Sequence, residues 1–323
     1  MTSLLRRAVA LALVAFIPVA FAADFPSGPV RIVVPYSPGG STDAMARMIG
    51  QKLTERLGQP VVVDNKPGAS EQVGAVTVAR SPADGHTIML ATTIGLAING
   101  SLYSKLQYDP VKDFAAVLPV ARIASVLVVN PQVPANNIEE LTAYLKKNTG
   151  KLSYGSAGSG APSHLAMELY KRAAGVSVTH IPYKGGAPAL QDLMAGNIQM
   201  MIALVSEAMP LVKAGKLKAL AITSPGRSAR YPELVPVADT KGMKDFEIYL
   251  WYAMVVPART PKDVVEKLNQ SINAVLSEKE FRDKLAEMDI ELVGGPAAKV
   301  AGIVSSEGAK WKKVIDEAGI RVD

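Results

Sequence analysis

Hydrophobic and polar positions along the chain alternate between two periods. Short apolar runs typical of β-strands are followed by segments whose apolar residues recur every three or four positions. In the first part of the chain this pattern predicts strands over 30–35, 61–64 and 87–91 and helices over 43–57 and 72–80. In the first of these helices Met45, Ile49, Leu53 and Leu57 recur every four residues, and Gly58 takes the place of a left-handed C-terminal cap. The alternation is typical of an α/β fold with mainly parallel strands.

The same alternation restarts after residue 150. It predicts strands over 152–155, 176–181, 198–204 and 217–223 and helices over 162–174 and 187–195. Gly175 and Gly196 end these helices, and Pro162 and Pro188 occupy first-turn positions, where a missing N–H costs nothing. We therefore expect a second α/β unit.

Two long β-type runs, 122–130 and 246–256, are predicted to cross between the units. About 300 residues exceed what one hydrophobic core usually supports. The expected fold is therefore α/β with two lobes joined by two crossing strands. We expect the first lobe to comprise 23–125 and 250–323, and the second 126–249. Helices over 261–276, 280–288 and 297–318 are expected to complete the first lobe.

The N-terminus has the features of a secretory signal. Arg6 and Arg7 precede an apolar stretch over 8–22, which Pro18 interrupts and which ends in small residues at Ala22. We expect cleavage after Ala22 and a periplasmic protein over the remaining chain. The sequence contains no cysteine, which excludes disulfides, a thiol nucleophile, cysteine zinc sites and a lipidated cysteine.

The charge balance argues against a nucleic-acid partner. Loss of Arg6 and Arg7 with the signal lowers the formal net charge from +6 to +4. Basic residues such as Lys310, Lys312 and Lys313 are scattered on helical patterns without interleaved aromatics, so no nucleic-acid surface is expected. The small positive excess suits an anionic small ligand.

Two glycine-rich segments stand between a predicted strand and a predicted helix. The first loop, residues 35–43, contains Gly39 and Gly40 before Ser41, Thr42 and Asp43. Backbone N–H groups and the positive end of a helix make such a turn a ready anion site. An ordinary capped turn explains the same residues equally well.

The second loop, residues 155–164, repeats this context in the other lobe. One loop in each lobe would allow a cleft between the lobes to hold a carboxylate from both sides. His164 falls in the first turn of its helix, where the helix dipole favours a neutral imidazole. It could bond the ligand or orient the loop, and the sequence leaves both open.

Enzyme motifs are missing. The chain has neither the G-x-S-x-G elbow nor a P-loop lysine after Gly160, and no G-x-G-x-x-G dinucleotide fingerprint. His86, His164 and His180 lack metal-ligand spacing. A triad of Ser159, His164 and Asp43 is conceivable across the cleft, but geometry and not inventory defines a triad. We expect no enzyme, no cofactor and no metal.

Seven ordered motifs resemble one family over essentially the whole chain after the signal. They are Pro35-Tyr36-Ser37-Pro38-Gly39-Gly40-Ser41-Thr42-Asp43, Asn65-Lys66-Pro67-Gly68-Ala69, Pro82-Ala83-Asp84-Gly85, Ser163-His164-Leu165, Ile181-Pro182-Tyr183-Lys184-Gly185-Gly186-Ala187-Pro188-Ala189, Gly215-Lys216-Leu217-Lys218-Ala219-Leu220-Ala221 and Pro257-Ala258-Arg259-Thr260-Pro261. The chain resembles the Bug or TctC family of periplasmic solute-binding receptors of tripartite tricarboxylate transporters.

The resemblance implies a periplasmic-binding-protein (Venus-flytrap) fold and a ligand carboxylate held by residues 37–43 and 156–164, partly through water. It also implies a membrane permease as partner, and we expect a monomer. The expected ligand contacts are Tyr36, Ser37, Gly39, Gly40, Ser41, Thr42, Asp43, Thr92, Ser156, Ala157, Gly158, Ser159, Ser163, His164, Tyr183, Ala203 and Leu204. A periplasmic hydrolase and a ligand-sensing partner of a signalling protein are the alternatives.

The chain departs from the family pattern at two places. Ser70 and Glu71 replace small residues and glycine, and Glu71 is interpreted as a solvated surface charge at the cleft rim. The segment over 201–205 is apolar where many members carry Asp-Asn, which argues against an amino-acid ligand, because an ammonium group needs a polar partner. We therefore expect a mono- or dicarboxylate without an amino group, aromatic acids included.

Five side chains could contact the carbon skeleton of the ligand. They are Tyr36, Tyr183, Met201, Leu204 and Trp251. Each could equally belong to the ordinary core, and for Met201 and Leu204 the core is the favoured interpretation.

Overall fold

A computed structural model describes residues 25–322, so the predicted signal peptide lies outside the described residues. The strands are β1 Val30–Val34, β2 Val61–Asn65, β3 Thr87–Thr92, β4 Phe114–Val129, β5 Ser153–Ser156, β6 Thr179–Pro182, β7 Met200–Leu204, β8 Lys218–Ile222, β9 Tyr249–Pro257 and β10 Glu291–Leu292. The α-helices are α1 Ser41–Leu57, α2 Gln72–Ala79, α3 Asn99–Leu102, α4 Ile138–Lys147, α5 Pro162–Ala174, α6 Gly186–Ala195, α7 Val205–Lys213, α8 Lys262–Ser277, α9 Lys279–Glu287 and α10 Ala298–Ala318.

One curled sheet contains all these strands and has two differently built halves. In the first half-sheet β1 pairs in parallel with β2 and β3, and β9 then runs antiparallel between β3 and β4. In the second half-sheet β5 pairs in parallel with β6 and β7, while β7 and β8 run antiparallel to β4. The expectation of mainly parallel strands therefore holds only within each α/β unit.

Strand β4 belongs to both halves. Its residues 114–124 pair with β9, and residues 125–129 pair with β7. The strand begins eight residues before the predicted crossing run. Pro119 obscures the pattern there, because it lies at a register shift and prolines normally mark irregular strand positions.

The helices form where periodicity and capping residues agree. Met45, Ile49 and Leu53 of α1 are fully buried against the first half-sheet. Gly58 ends α1 in the left-handed region with φ 67°, as its glycine predicts. Helix α5 matches its predicted range, with Pro162 in its first turn and Gly175 as its cap at φ 63°.

Several elements were not predicted. Residues Ile94–Ile98 form a π-helical turn that continues into α3, and α4, α7 and the two-residue β10 also escaped the sequence pattern. Helix α4 is capped by Asn137, whose side chain accepts a hydrogen bond from the N–H of Glu140 at 2.8 Å.

The C-terminal helix α10 ties the two halves together. Its residues Trp311, Val314 and Ile315 are buried in the same cluster as Tyr154 and Leu165 of the second half-sheet unit. The α/β fold with two units agrees with the predicted fold class, and the exact lobe boundaries remain a prediction.

Candidate ligand-binding cleft

The first loop is held by the carboxylate of Asp43. This side chain is buried and accepts hydrogen bonds from the N–H of Gly39 at 2.9 Å, from Nε of Arg47 at 3.0 Å and from Nδ2 of Asn65 at 3.0 Å. Gly39 has φ +92°, which a residue with a side chain rarely adopts. Burial opposes ionisation of Asp43, but the bonds from Arg47, Gly39 and Asn65 outweigh it and lower its pKa. Asp43 therefore fixes the loop with its charge.

The remaining residues of the first loop lie at the surface or beside a buried tyrosine. Ser37, Gly39 and Gly40 are exposed. The hydroxyl of Tyr252 in β9 lies within hydrogen-bonding reach of the Thr42 and Ser41 side chains. Burial raises the pKa of Tyr252 to about 12, so it is a neutral hydroxyl at the base of the loop.

Glu71 is a buried residue, and its interpretation as a solvated surface charge is wrong. Only 2% of it is exposed, and its carboxylate accepts hydrogen bonds from the hydroxyls of Tyr36 and Thr92. The N–H of Thr92 donates a further bond at 3.3 Å. Burial raises the pKa of Glu71 and, together with the Glu71 charge, that of Tyr36. Tyr36 and Thr92 reach the same place because they stand at the carboxyl ends of β1 and β3.

The second loop is held by neutral groups. The N–H of Gly160 donates to Nδ1 of His164 at 3.0 Å, and the N–H of Ala157 donates to the hydroxyl of Ser163 at 2.9 Å. Gly160 has φ +75° and packs so closely on Leu102 that a Cβ atom would lie 2.5 Å from that side chain. Of the two roles that the sequence allowed for His164, orienting the loop is the one seen here.

Three stacked aromatic rings pack against this loop. The rings of His164 and His180 are 3.8 Å apart at an angle of 6°, and Tyr154 stacks on His180 at 4.9 Å. His180 is hydrogen-bonded through Nε2 to the buried hydroxyl of Ser156 at 2.6 Å. Burial and the neighbouring His180 lower the pKa of His164 to about 4, and burial also lowers that of His180. Both imidazoles are therefore neutral near pH 7.

The other predicted contacts vary in their surroundings. The Tyr183 hydroxyl donates to Asp192 at 2.7 Å, and Ala203 is buried while Leu204 is half-buried at the end of β7. Ser159 is exposed and has no hydrogen bond within residues 25–322. Trp251 is half-buried on β9, where the Arg122 guanidinium lies 5.4 Å from its ring.

A cavity of about 390 Å³ adjoins the first loop. It is lined by Gly39, Gly40 and Ser41 on one side and by the start of α7, including Glu207, on the other. No group within residues 25–322 donates a hydrogen bond to the Glu207 carboxylate, and the surrounding protein raises its pKa. The lining residues include none from the second loop, and no hydrogen bond among the described residues joins the two loops.

A contact between the two units closes the far side of this cavity. Asp289, after α9, accepts hydrogen bonds from the Tyr231 hydroxyl at 2.8 and 2.9 Å and pairs with Nε of Arg230 at 2.9 Å. The Arg230 guanidinium also donates to the Glu287 carbonyl at 3.0 Å, at the C-terminal end of α9. The segment that follows β8 is thus attached to the turn that precedes β10.

The family-level comparison agrees with the motifs. Residues 45–320 match the model of the TctC family, described as the tripartite tricarboxylate transporter family receptor. The chain belongs to this receptor family. The first loop precedes the matched range. Within residues 25–322 of this TctC receptor, no helix is long and apolar enough to cross a membrane.

Related proteins match the TctC receptor over nearly its whole length. A protein of Pseudomonas sp. strain P51, described as UPF0065 protein in the tcbD-tcbE intergenic region, is 39% identical over 293 residues, 91% of this chain and 87% of its own. The solved structure of R. palustris Rpa4515 with adipate is 35% identical with a TM-score of 0.83, covering 93% of this chain and 100% of that one. MatC (Rpa3494) from Rhodopseudomonas palustris with bound malate is 31% identical with a TM-score of 0.78, covering 90% and 100%.

Sequence reasoning missed four residues of this TctC receptor that shape the cleft. They are Glu71, His180, Glu207 and Tyr252. Each lies far in the sequence from the residues beside which the fold places it. Only Glu71 had a signal, its departure from the small residues usual in the family.

Proposed function

We propose that this TctC receptor binds a small organic carboxylate, without an amino group, and carries out no chemistry on it. The observation that carries the proposal is the pair of helix starts. Neither α1 nor α5 has a side-chain N-cap bond. The first-turn N–H groups of Ser41, Thr42, Asp43, Ser163 and His164 have no acceptor within residues 25–322. Such N–H groups, at the positive end of a helix, are suited to an anion.

The polar side chains of both loops support this role. Asp43, Ser163 and His164 are used to fix loop conformation, which leaves backbone donors as the anion-binding groups. A preorganised loop loses little conformational freedom on binding, which favours affinity. We infer that 37–43 and 156–164 close on opposite sides of one carboxylate, with bridging waters completing the contacts.

Closure is proposed to occur between two lobes, 23–125 with 250–323 and 126–249. Strand β4 runs from one to the other, and the segment that leads into β9 bonds through Ile248 to Thr223 after β8, so bending near residues 125 and 249 would change the width of the cleft. The ligand would select the closed form, and the closed form would dock on the permease subunits of a tripartite transporter. We place the receptor in the periplasm as a monomer, with its signal cleaved after Ala22.

The preference against amino acids rests on the end of β7. Ala203 is 2% exposed and Leu204 is apolar. The side chains at this end of β7 therefore offer no hydrogen-bond acceptor to an ammonium group. Two related structures are described with adipate and malate, neither of which has an amino group.

A thermal-shift panel of organic acids on residues 23–323 tests the proposal. A ligand at about 100 times its Kd adds about 2.7 kcal/mol of stability. We expect at least one carboxylate to raise the melting temperature without being consumed, as followed by chromatography of the mixture. Turnover of the acid would favour the hydrolase alternative. A larger shift with aspartate than with any acid lacking an amino group would refute the ligand class.

A further inference from the structure

The Glu71 carboxylate occupies hydrogen-bond donors at the carboxyl ends of β1 and β3, next to the first loop. The hydroxyls of Tyr36 and Thr92 and the N–H of Thr92 all donate to it, and the backbone N–H of Gly95 adds a further bond. Tyr36 and Thr92 are both among the expected ligand contacts. At this end of the cleft, the donor groups that could receive a ligand carboxylate are already bound to a carboxylate of the chain.

The surrounding backbone is shaped to this contact. Ala69, Ser70 and Glu71 have φ values of 45°, 50° and 75°, a left-handed run that is strained for residues with side chains. A Cβ atom on Gly95 would lie 2.5 Å from Oε2 of Glu71, so the position facing the carboxylate has room only for glycine. Strain of this kind persists where the neighbouring structure enforces it.

A second carboxylate lies on the other side of the first loop. Glu207 lines the cavity beside Gly39 and Ser41. The charges of both Glu71 and Glu207 act on the Tyr252 hydroxyl, which lies within hydrogen-bonding reach of the Thr42 and Ser41 side chains. The first loop therefore has an acidic residue on each side, the buried Glu71 and the exposed Glu207.

We propose that Glu71 is a specificity-determining residue that restricts this receptor to ligands with a single carboxylate. The inference rests on the proposed function, because it assumes that one carboxylate is anchored between the loops. A second carboxylate reaching toward Tyr36 and Thr92 would meet the buried Glu71 carboxyl group and find no free donor. This would separate the receptor from its relatives described with the dicarboxylates adipate and malate.

Isothermal titration calorimetry with matched acid pairs tests the proposal. The pairs are butyrate and succinate, hexanoate and adipate, and benzoate and terephthalate. We expect the unmodified receptor to bind the monocarboxylate of at least one pair about tenfold or more tighter than its dicarboxylate partner. Glu71→Gln removes the charge at nearly constant size. Glu71→Gly removes the side chain, and glycine adopts the positive φ of this position without strain. This second variant tests the proposal if Glu71→Gln disturbs the hydrogen bonds with Tyr36 and Thr92.

Both variants should reduce the preference at least about fivefold, by improving dicarboxylate binding. The control is Glu278→Gln, which removes an equal charge from a surface ion pair with Lys52 and Arg56 and should leave the preference unchanged. Equal or tighter binding of dicarboxylates by the unmodified receptor would overturn this inference and leave the proposed function standing. So would a preference that neither Glu71 variant changes. If no acid of any pair binds, the proposed function fails as well.

Discussion

The two glycine-rich loops look alike in sequence but are held in different ways. The first is fixed by a charged group, the Asp43 carboxylate, with donors from Gly39, Arg47 and Asn65. The second is fixed by neutral groups, a stacked histidine pair and two serines. Both solutions leave first-turn N–H groups without an acceptor among the described residues. Two helix starts with free first-turn N–H groups can therefore be held in place by different chemical groups.

The largest expected effect is the removal of the charge that holds the first loop. Asp43→Ala removes three hydrogen bonds to a buried carboxylate, from the Gly39 N–H, Arg47 and Asn65, so we expect the free energy of unfolding to fall by about 3 kcal/mol. Urea denaturation measures this loss, and calorimetry with a panel ligand should show weaker binding. Asp263→Ala, at an exposed first-turn position of α8, is the control and should change little. Unchanged stability and affinity in Asp43→Ala would remove the first loop from the site.

Acid should distinguish the two loops. The pKa of His164 is about 4 in the folded protein against 6.5 ordinarily, so the unfolded chain takes up this proton first. The stability that the neutral His164 contributes is therefore present above pH 6.5 and lost as pH falls toward 4, by about 3 kcal/mol. The Asp43 pKa is lowered below 3.8, so the contribution of the first loop is lost only at still lower pH.

The His164→Asn variant isolates this effect. Asparagine retains an acceptor for the Gly160 N–H but cannot titrate. His180, Glu168 and Lys171 still face the site in this variant. Denaturation curves at pH 7, 5.5 and 4.5 should therefore show a flatter decline in the variant. An identical pH dependence in both proteins would contradict the assignment to His164.

Within the second loop, Ser163 should matter for folding. Its hydroxyl accepts from the Ala157 N–H, so Ser163→Ala should cost about 1 kcal/mol of stability. The melting temperature and a urea midpoint measure this change. A loss of stability smaller than the error of the urea midpoint would mean that water accepts the hydrogen bond of the Ala157 N–H as well as Ser163 does.

The smallest expected stability effect belongs to Ser159. Its exposed hydroxyl has no hydrogen bond among the described residues, so Ser159→Ala should leave the melting temperature unchanged. The affinity for a panel carboxylate should still fall, by about fivefold, since one neutral hydrogen bond is worth about 1 kcal/mol. Equal affinity in variant and parent would show that the ligand does not reach Ser159.

Local signals in the sequence predicted much of the fold. Glycine caps and a first-turn proline predicted the bounds of α5 and the end of α1. The backbone preferences of these residues act over only a few positions, so they can be read from the local sequence. The start of β4 and the helix α4 were missed. Pro119 interrupts the apolar pattern of β4 at a register shift. Asn137 caps α4, but asparagine is equally common in ordinary turns, so it did not identify a helix start.

The candidate cleft was predicted only in outline. The positions of the two loops follow from the order of strands and helices, which the sequence displays. The partners of their side chains do not. Glu71 meets Tyr36 and Thr92 across separations of 35 and 21 positions, and its burial follows from tertiary packing that no local pattern contains. A charged residue in a glycine-rich turn is usually solvated, which explains the wrong interpretation.

The shared strand β4 has a consequence for how such receptors can diversify. Residues 114–124 hydrogen-bond in one half of the sheet and residues 125–129 in the other, within one uninterrupted segment. Joining lobes of two relatives at a point within this strand would disrupt its pairing with β9 in one half-sheet and with β7 in the other. The neighbouring strands would then have unpaired edges. Exchange of whole lobes between relatives is therefore structurally costly. New ligand preferences are expected to arise by single substitutions in the connecting loops, as we propose for Glu71.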